Sequence, residues 1–244
     1  MLRRHPAGRY IQVMEAKLHQ PHPLSIGVSA DQTVSGLLLA PERPSACLVL
    51  AHGAGAGMTH PFMTAVALAM HDRGVATLRY QFPYMEKGSR RPDSPAIAQA
   101  TVRAAVDAAK RHFPDMPLIA GGKSFGGRMT SQAQANEPLP GVRGLAFLGF
   151  PLHPAGKPSV ARAQHLKQVQ IPLLFLQGDR DLLATAGLIG NVASELGERA
   201  TLVMFPAADH SFHVPARGSV KQEQVMDSVF DALADWIHGV GLRR

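Results

Sequence analysis

The segment from Leu118 to Gln134 constrains the fold of this chain more than any other part of its sequence. It starts with a short apolar run, passes through Gly122, Ser124 and Gly126, and ends in a stretch of helical character. Glycines two residues before and after a serine permit a tight strand-to-helix turn in which side chains would collide. Such a turn holds the serine in a strained backbone conformation. The segment therefore predicts a serine hydroxyl that projects from the end of a strand.

Three other interpretations of the glycine-rich segments have to be weighed, two for the segment around Ser124 and one for residues 53–57. Ser124 could cap a helix in an ordinary turn, and that alternative stays open. A P-loop ending in Lys123-Ser124 would need a glycine at position 117, where the chain has Pro117. A dinucleotide-binding loop at residues 53–57 would need a glycine at position 58, where the chain has Met58. We therefore do not expect a nucleotide site.

Composition limits the class of protein. A hydrophobic content of 45% with 18% charged residues is typical of a globular chain. No run approaches the ~20 apolar residues of a membrane span, so none is expected. The formal charge of +7 would suit nucleic-acid binding, but the basic residues are scattered and aromatic residues make up only 6%. We predict a basic, solvated surface and no nucleic-acid partner. The single Cys47 lies in an apolar run, which indicates a buried thiol and a reducing, cytoplasmic setting.

The chain is expected to form one domain. Residues 1–20 are predicted to be a flexible leader. A secretory signal is not expected there, because Arg3 and Arg4 are not followed by an apolar stretch. Met14 could be the functional start, and that question stays open. Residues 21–244 are predicted to form a single α/β domain without internal repeats.

Strand-like and helix-like patterns alternate along this domain. That alternation predicts an α/β fold with a mostly parallel central sheet and helices on both faces. Ligands of such sheets bind beyond the carboxyl ends of the strands, so the loops at those ends should carry the functional residues. The predicted strands are 24–30, 33–40, 46–51, 75–80, 118–121, 142–149, 173–177 and 201–205, and the predicted helices are 62–72, 96–112, 125–136, 185–196 and 221–238.

A serine hydroxyl becomes a nucleophile only when a base takes its proton and an acid orients that base. Two loops after later strands supply such groups, in the chain order serine, acid, histidine. For the acid we prefer Asp181 to Asp179, because a turn after the strand would present its carboxylate. For the base we prefer His210 to His213, because His210 follows the last strand directly.

The same chemistry needs N–H donors for the negative charge that develops on the substrate oxygen. We expect them from the backbone of Phe125, which follows the serine, and of Ala54 in the glycine-rich loop after the third strand. That loop could instead be merely flexible. His52, Gly53 and Lys123 are the expected substrate contacts. This chemistry requires neither metal nor cofactor, and we predict neither.

The connection at residues 150–171 is, at about 20 residues, too short for a large helical cap. We therefore predict no cap domain and an open site. Five basic residues are expected near the loop face, and they fit either an acidic or polar acyl substrate or simple surface solvation. They are Lys87, Arg90, Arg91, Lys123 and Lys157.

Several short segments accompany the serine motif between about residues 46 and 213, and their joint occurrence is more specific than the motif alone. They are 52–58, Pro61-Phe62-Met63, Phe82-Pro83-Tyr84-Met85, Arg90-Arg91-Pro92, 121–129, Phe150-Pro151-Leu152-His153-Pro154, Gly156-Lys157-Pro158 and Asp209-His210-Ser211.

With these segments the chain resembles the α/β-hydrolase superfamily. More narrowly, it is similar to small dienelactone-hydrolase-related proteins, a group that includes the hydrolase-like domain of a chromatin acetyltransferase-complex subunit. The resemblance implies an α/β-hydrolase domain over residues 21–244, with Ser124 as nucleophile, Asp181 as acid and His210 as base. Dienelactone hydrolases use a cysteine nucleophile, so their specific activity is not implied.

The expected function is cleavage of a small-molecule carboxylic ester or thioester through an acyl-enzyme on Ser124. Acyl transfer to an alcohol or peroxide would use the same residues. The alternative from another class is a non-catalytic binding module with the same fold, because fold does not fix function. The sequence does not reveal the oligomeric state.

Overall fold

The computed structural model describes residues 20–218 and 221–241. Except for its last residue, the leader predicted at 1–20 lies outside this part of the chain. The strands are β1 His22–Ser29, β2 Gln32–Leu39, β3 Ala46–Ala51, β4 Val75–Tyr80, β5 Leu118–Lys123, β6 Val142–Leu148, β7 Leu173–Gly178 and β8 Ala200–Phe205, and the α-helices are α1 Pro61–Asp72, α2 Pro83–Glu86, α3 Pro95–His112, α4 Phe125–Asn136, α5 Ala186–Leu196 and α6 Gln222–Gly241.

The eight strands form one sheet in the order β1-β2-β4-β3-β5-β6-β7-β8. The β1–β2 and β2–β4 pairs are antiparallel, and every later pair is parallel. The predicted α/β-hydrolase fold is thus confirmed. All six residues of β3 are buried, as expected for a central parallel strand that is covered on both faces.

Helices cover both faces of the sheet and divide the core into two clusters. Helices α3, α4 and α5 pack on one face, and α1 and α6 pack on the other. Cys47 lies in the first cluster with no exposed surface, so its prediction as a core thiol is confirmed.

The strand before the serine is longer than predicted, because β5 continues through Gly121 and Gly122 to Lys123. A Cβ atom at Gly121 would lie 1.8 Å from the carbonyl oxygen of Ala146, and one at Gly122 would lie 2.3 Å from that of Ala51. The glycines therefore permit close approach to both neighbouring strands and do not end the strand.

Three short elements were not predicted, namely α2 and two 3₁₀ helices, at Ala161–Gln168 and Gly197–Arg199. The first 3₁₀ helix lies within the 150–171 connection, and no large cap is present among the described residues. Within this part of the chain, no helix combines the length and apolarity needed to cross a bilayer.

Candidate active site

Ser124 occupies the turn between β5 and α4 with φ 50° and ψ −111°. This conformation is energetically unfavourable for any residue that has a side chain. Its side chain does not cap the helix, so the N-cap interpretation does not hold. A Cβ atom at Gly126 would lie 2.6 Å from the carbonyl oxygens of both Ala51 and His52. The absence of a side chain at Gly126 therefore lets the start of the helix pack directly on the end of β3.

The structure brings the three predicted side chains into one hydrogen-bonded series. His210 Nε2 lies 2.8 Å from Ser124 Oγ, and His210 Nδ1 lies 2.6 Å from Asp181 Oδ2. Since an ionised carboxylate only accepts hydrogen bonds, Nδ1 carries the proton and Nε2 is free to accept the one from the serine hydroxyl. This is the tautomer that a general base requires.

The carboxylate beside His210 belongs to Asp181 and not to Asp179. Asp181 is buried and also accepts hydrogen bonds from the Gln177 side-chain amide and, at 2.7 Å, from the Leu183 N–H. These donors offset the cost of burying a charge. Asp179 is exposed in the turn, where its N–H donates to the carbonyl oxygen of Phe205. Gln177 was missed by the sequence analysis, although a glutamine at the end of an otherwise apolar strand is a usable signal.

The loop that carries His210 is fixed by its own backbone and side chains. The Asp209 carboxylate accepts from the N–H groups of Ser211 at 2.7 Å and His213 at 2.9 Å. Ala207 and Phe212, on either side, have φ values of 60° and 63°, which are uncommon for residues with a Cβ atom. The His213 side chain is 71% exposed and its Nδ1 lies 3.5 Å from Asp209 Oδ2, and within the described residues it makes no hydrogen bond to Ser124.

The glycine-rich loop after β3 is held in place by side chains that follow β4. The Gly55 N–H donates to the Tyr84 hydroxyl at 2.9 Å, and the Met58 N–H donates to Gln81 Oε1 at 2.8 Å. The loop is therefore anchored, contrary to the flexible alternative. The Ala54 and Phe125 N–H groups donate to no other group in the described part of the chain. Both remain available for a ligand.

His52 does not lie where a substrate contact was expected. Its ring has no exposed surface; Nδ1 donates to the Gly53 carbonyl oxygen at 2.7 Å, and Nε2 accepts from the Phe82 N–H at 3.1 Å. Burial lowers the pKa of the ring, in keeping with its neutral form. With both nitrogens engaged, His52 is a positioning residue that holds the loop after β3.

A cavity of about 350 Å³ opens above Ser124. Its wall is largely apolar, with Phe62, Met63 and Leu183, and its remaining lining is Gly53, Ala54, Ala56, His60, Lys123, Ser124, His210, Ser211 and His213. Of the predicted contacts, Gly53 and Lys123 thus line the cavity. Of the five basic residues expected near the loop face, only Lys123 does so, and the other four are exposed elsewhere.

Comparison with known proteins agrees with this architecture. A family profile described as an alpha/beta hydrolase domain matches residues 44–238. The solved structure of dienelactone hydrolase from Anabaena variabilis has a TM-score of 0.71 at 23% identity, covering 89% of this chain and 97% of that one. An α/β serine hydrolase without a lid from Xanthomonas campestris gives 0.69 at 20% identity, covering 89% and 95%. An α/β serine hydrolase homologue from Coxiella burnetii gives 0.68 at 18% identity, covering 90% and 97%. Identities this low establish a shared fold only. The family profile, in contrast, matches most of the sequence, and it shows that the chain belongs to the α/β-hydrolase domain family.

Proposed function

We propose that this protein is a serine hydrolase that cleaves a carboxylic ester or thioester through an acyl-enzyme on Ser124. The observation that carries the proposal is the hydrogen-bonded series from Ser124 Oγ through the His210 ring to the Asp181 carboxylate. The proposed chemistry requires neither a metal ion nor a cofactor.

In the first half of the proposed reaction, His210 Nε2 takes the proton of Ser124 as Oγ attacks the substrate carbonyl carbon. The carbonyl π electrons move to oxygen, and the N–H groups of Ala54 and Phe125 stabilise that charge. When the intermediate collapses, the bond to the leaving group breaks and His210 returns the proton to the departing atom. Asp181 stabilises the transient imidazolium without being protonated itself.

In the second half, water replaces the leaving group. His210 Nε2 takes a proton from the water molecule as its oxygen attacks the acyl carbon, and it then returns the proton to Ser124 Oγ as the acid departs. Transfer to an alcohol or peroxide would follow the same path with a different nucleophile.

The binding-module alternative has less support. A scaffold has no need for a serine held at a positive φ, nor for a buried carboxylate behind an imidazole, and both features are costly. The narrower resemblance to a chromatin-complex subunit remains a prediction.

A fluorophosphonate probe tests the nucleophile. The folded wild-type protein should be labelled and Ser124→Ala should not, because the probe reacts with an activated serine hydroxyl.

Steady-state kinetics test the base. With 4-nitrophenyl butanoate, His210→Ala should lose on the order of 10³-fold in kcat/KM, and the loss should exceed that of His213→Ala by about 100-fold. Folded wild-type protein that is neither labelled nor active would contradict the proposal.

A further inference from the structure

Lys123 has an unusual position for a lysine. It is the last residue of β5, directly before Ser124, and its stem runs past Gly53, where a Cβ atom would lie 3.5 Å from Lys123 Cγ. Its Nζ atom lies 5.9 Å from the ring centroid of Phe62 and 5.7 Å from that of Phe212, and these two rings are stacked with 6° between their planes. The cation is therefore within cation–π range of two aromatic rings in the same region as the nucleophile.

The ammonium group is incompletely satisfied by the protein. Nζ donates to the His210 carbonyl oxygen, and this is its sole hydrogen-bond acceptor among residues 20–218 and 221–241. No carboxylate in that part of the chain lies within ion-pair distance of it. An ammonium has three N–H donors, so two are left for a ligand or solvent. Burial lowers the pKa of Lys123 to about 8, and the more distant Asp181 and Asp209 carboxylates oppose this shift.

Such a cation is costly unless an anion offsets its desolvation. Among the described residues, the remaining lining of the cavity contains no carboxylate: it consists of apolar side chains such as Phe62, Met63 and Leu183, of serines and of histidines. A negatively charged substrate group is what this environment would bind best, since a charge-assisted hydrogen bond is stronger in a partly buried, largely apolar site than in water.

We propose that Lys123 is the specificity-determining residue of the site, and that the preferred substrates are esters or thioesters that carry a carboxylate close to the scissile carbonyl. This proposal rests on the proposed function and names the substrate class of the same site. The carboxylate accepts from the free Nζ donors while the carbonyl lies at Ser124, so the two contacts fix the substrate in one orientation.

Three esters provide the test. 4-Nitrophenyl hydrogen glutarate carries the carboxylate in its acyl part, 4-(butanoyloxy)benzoate carries it in the leaving group, and 4-nitrophenyl butanoate is neutral. For wild type we expect kcat/KM on one of the two anionic esters to exceed that on the neutral ester, once intrinsic leaving-group reactivity is corrected for by alkaline hydrolysis rates. Which of them is preferred shows on which side of the scissile bond the anion lies.

The variant Lys123→Met keeps the stem and removes the charge. The ratio of kcat/KM for the preferred anionic ester to that for the neutral ester should fall about 10- to 100-fold, the range expected for hydrogen bonds to a charged group. Losses common to both esters, such as those from a displaced His210 loop, cancel in this ratio. Lys157→Met removes an exposed lysine outside the cavity and should leave the ratio unchanged.

The wild-type ratio should also fall as pH rises through about 8, because Lys123 loses its charge there. Asp181, Asp209, His210, His60 and His213 face the same region. Because their charges also act on an anionic ester, the decline is assigned to Lys123 when it is absent in Lys123→Met.

A wild-type enzyme that prefers the neutral ester, or a ratio unaltered in Lys123→Met, would overturn the anion site while leaving the proposed function intact. Turnover of the neutral ester that disappears in Ser124→Ala marks that case. If Lys123→Met does not fold, the wild-type preference and its decline above about pH 8 decide the question. Failure of every ester together with failure to label Ser124 would instead remove the proposed function, and this inference with it.

Discussion

At the scale of single residues, the site is defined by environment more than by residue type. The loop after β7 holds two aspartates two positions apart, yet one is buried behind His210 and the other is exposed. The difference arises because the chain turns at Gly178, where a Cβ atom would lie 2.2 Å from the carbonyl oxygen of Ala208. This close packing directs the Asp181 side chain inwards, beneath the histidine.

The two aspartates therefore form a matched pair for mutation. Asp181→Asn should lower kcat/KM for 4-nitrophenyl butanoate by about 10³- to 10⁴-fold, because a neutral amide neither holds the required His210 tautomer nor stabilises its cation. Asp179→Asn removes an exposed carboxylate and should change kcat/KM less than about threefold. Steady-state kinetics on both variants, with circular dichroism to establish folding, are sufficient. Similar losses in both would refute the assignment of Asp181 as the orienting acid.

At the scale of elements, the strand–turn–helix unit β5–α4 depends on backbone packing around its glycines. The first turn of α4 lies directly on the end of β3, and Gly126 is the point of contact. Helix α5 contains glycines of the opposite kind, since a Cβ atom at Gly190 would meet nothing within 4 Å.

The same substitution should consequently have opposite effects in the two helices. Gly126→Ala inserts a methyl group against two carbonyl oxygens and should lower the free energy of unfolding by about 2 kcal/mol or more. Gly190→Ala fills open space and should raise it by about 0.5–1 kcal/mol, because alanine loses less backbone entropy in a helix. Urea titrations of both variants and wild type measure these changes. A Gly126→Ala protein as stable as wild type would mean that the turn is not enforced by packing.

At the scale of the whole molecule, the sequence was informative where a local pattern determines structure. Helix α4 has the predicted bounds, and the alternation of elements predicted a largely parallel sheet because crossovers have one hand. The sequence was less informative where contacts between distant segments determine the local structure. The anchoring of the glycine-rich loop by Tyr84 and Gln81 joins residues 29 and 23 positions apart and has no periodic signal. The same limit explains why His52 was expected to contact the substrate. Its ring is instead engaged by the Gly53 carbonyl oxygen and the Phe82 N–H, and these contacts become apparent only in the folded chain.

The connection between β6 and β7 shows how one such distant contact should affect the stability of the whole protein. His165 lies in its 3₁₀ helix, and His165 Nε2 is 2.7 Å from Ser131 Oγ in α4. The Ser131 hydroxyl already donates to the Arg128 carbonyl oxygen at 2.9 Å, so Oγ accepts the His165 N–H. Burial, and secondarily the nearby Arg128 charge, lower the pKa of His165 from 6.5 to about 4.

A lowered pKa for a base means that the unfolded chain binds a proton before the folded one does. Stability from His165 is therefore complete above pH 6.5 and is lost as pH falls towards 4. His165→Gln keeps an N–H donor but cannot titrate. Between about pH 7 and pH 4.5, wild type should lose about 1 kcal/mol more unfolding free energy than this variant, after discounting for solvent screening of a partly exposed ring. The exposed His22, replaced in the same way, serves as the control in urea titrations at both pH values. Parallel pH dependences for wild type and His165→Gln would mean that His165 titrates normally in the folded protein, and that its contact with α4 does not tie the connection to the core.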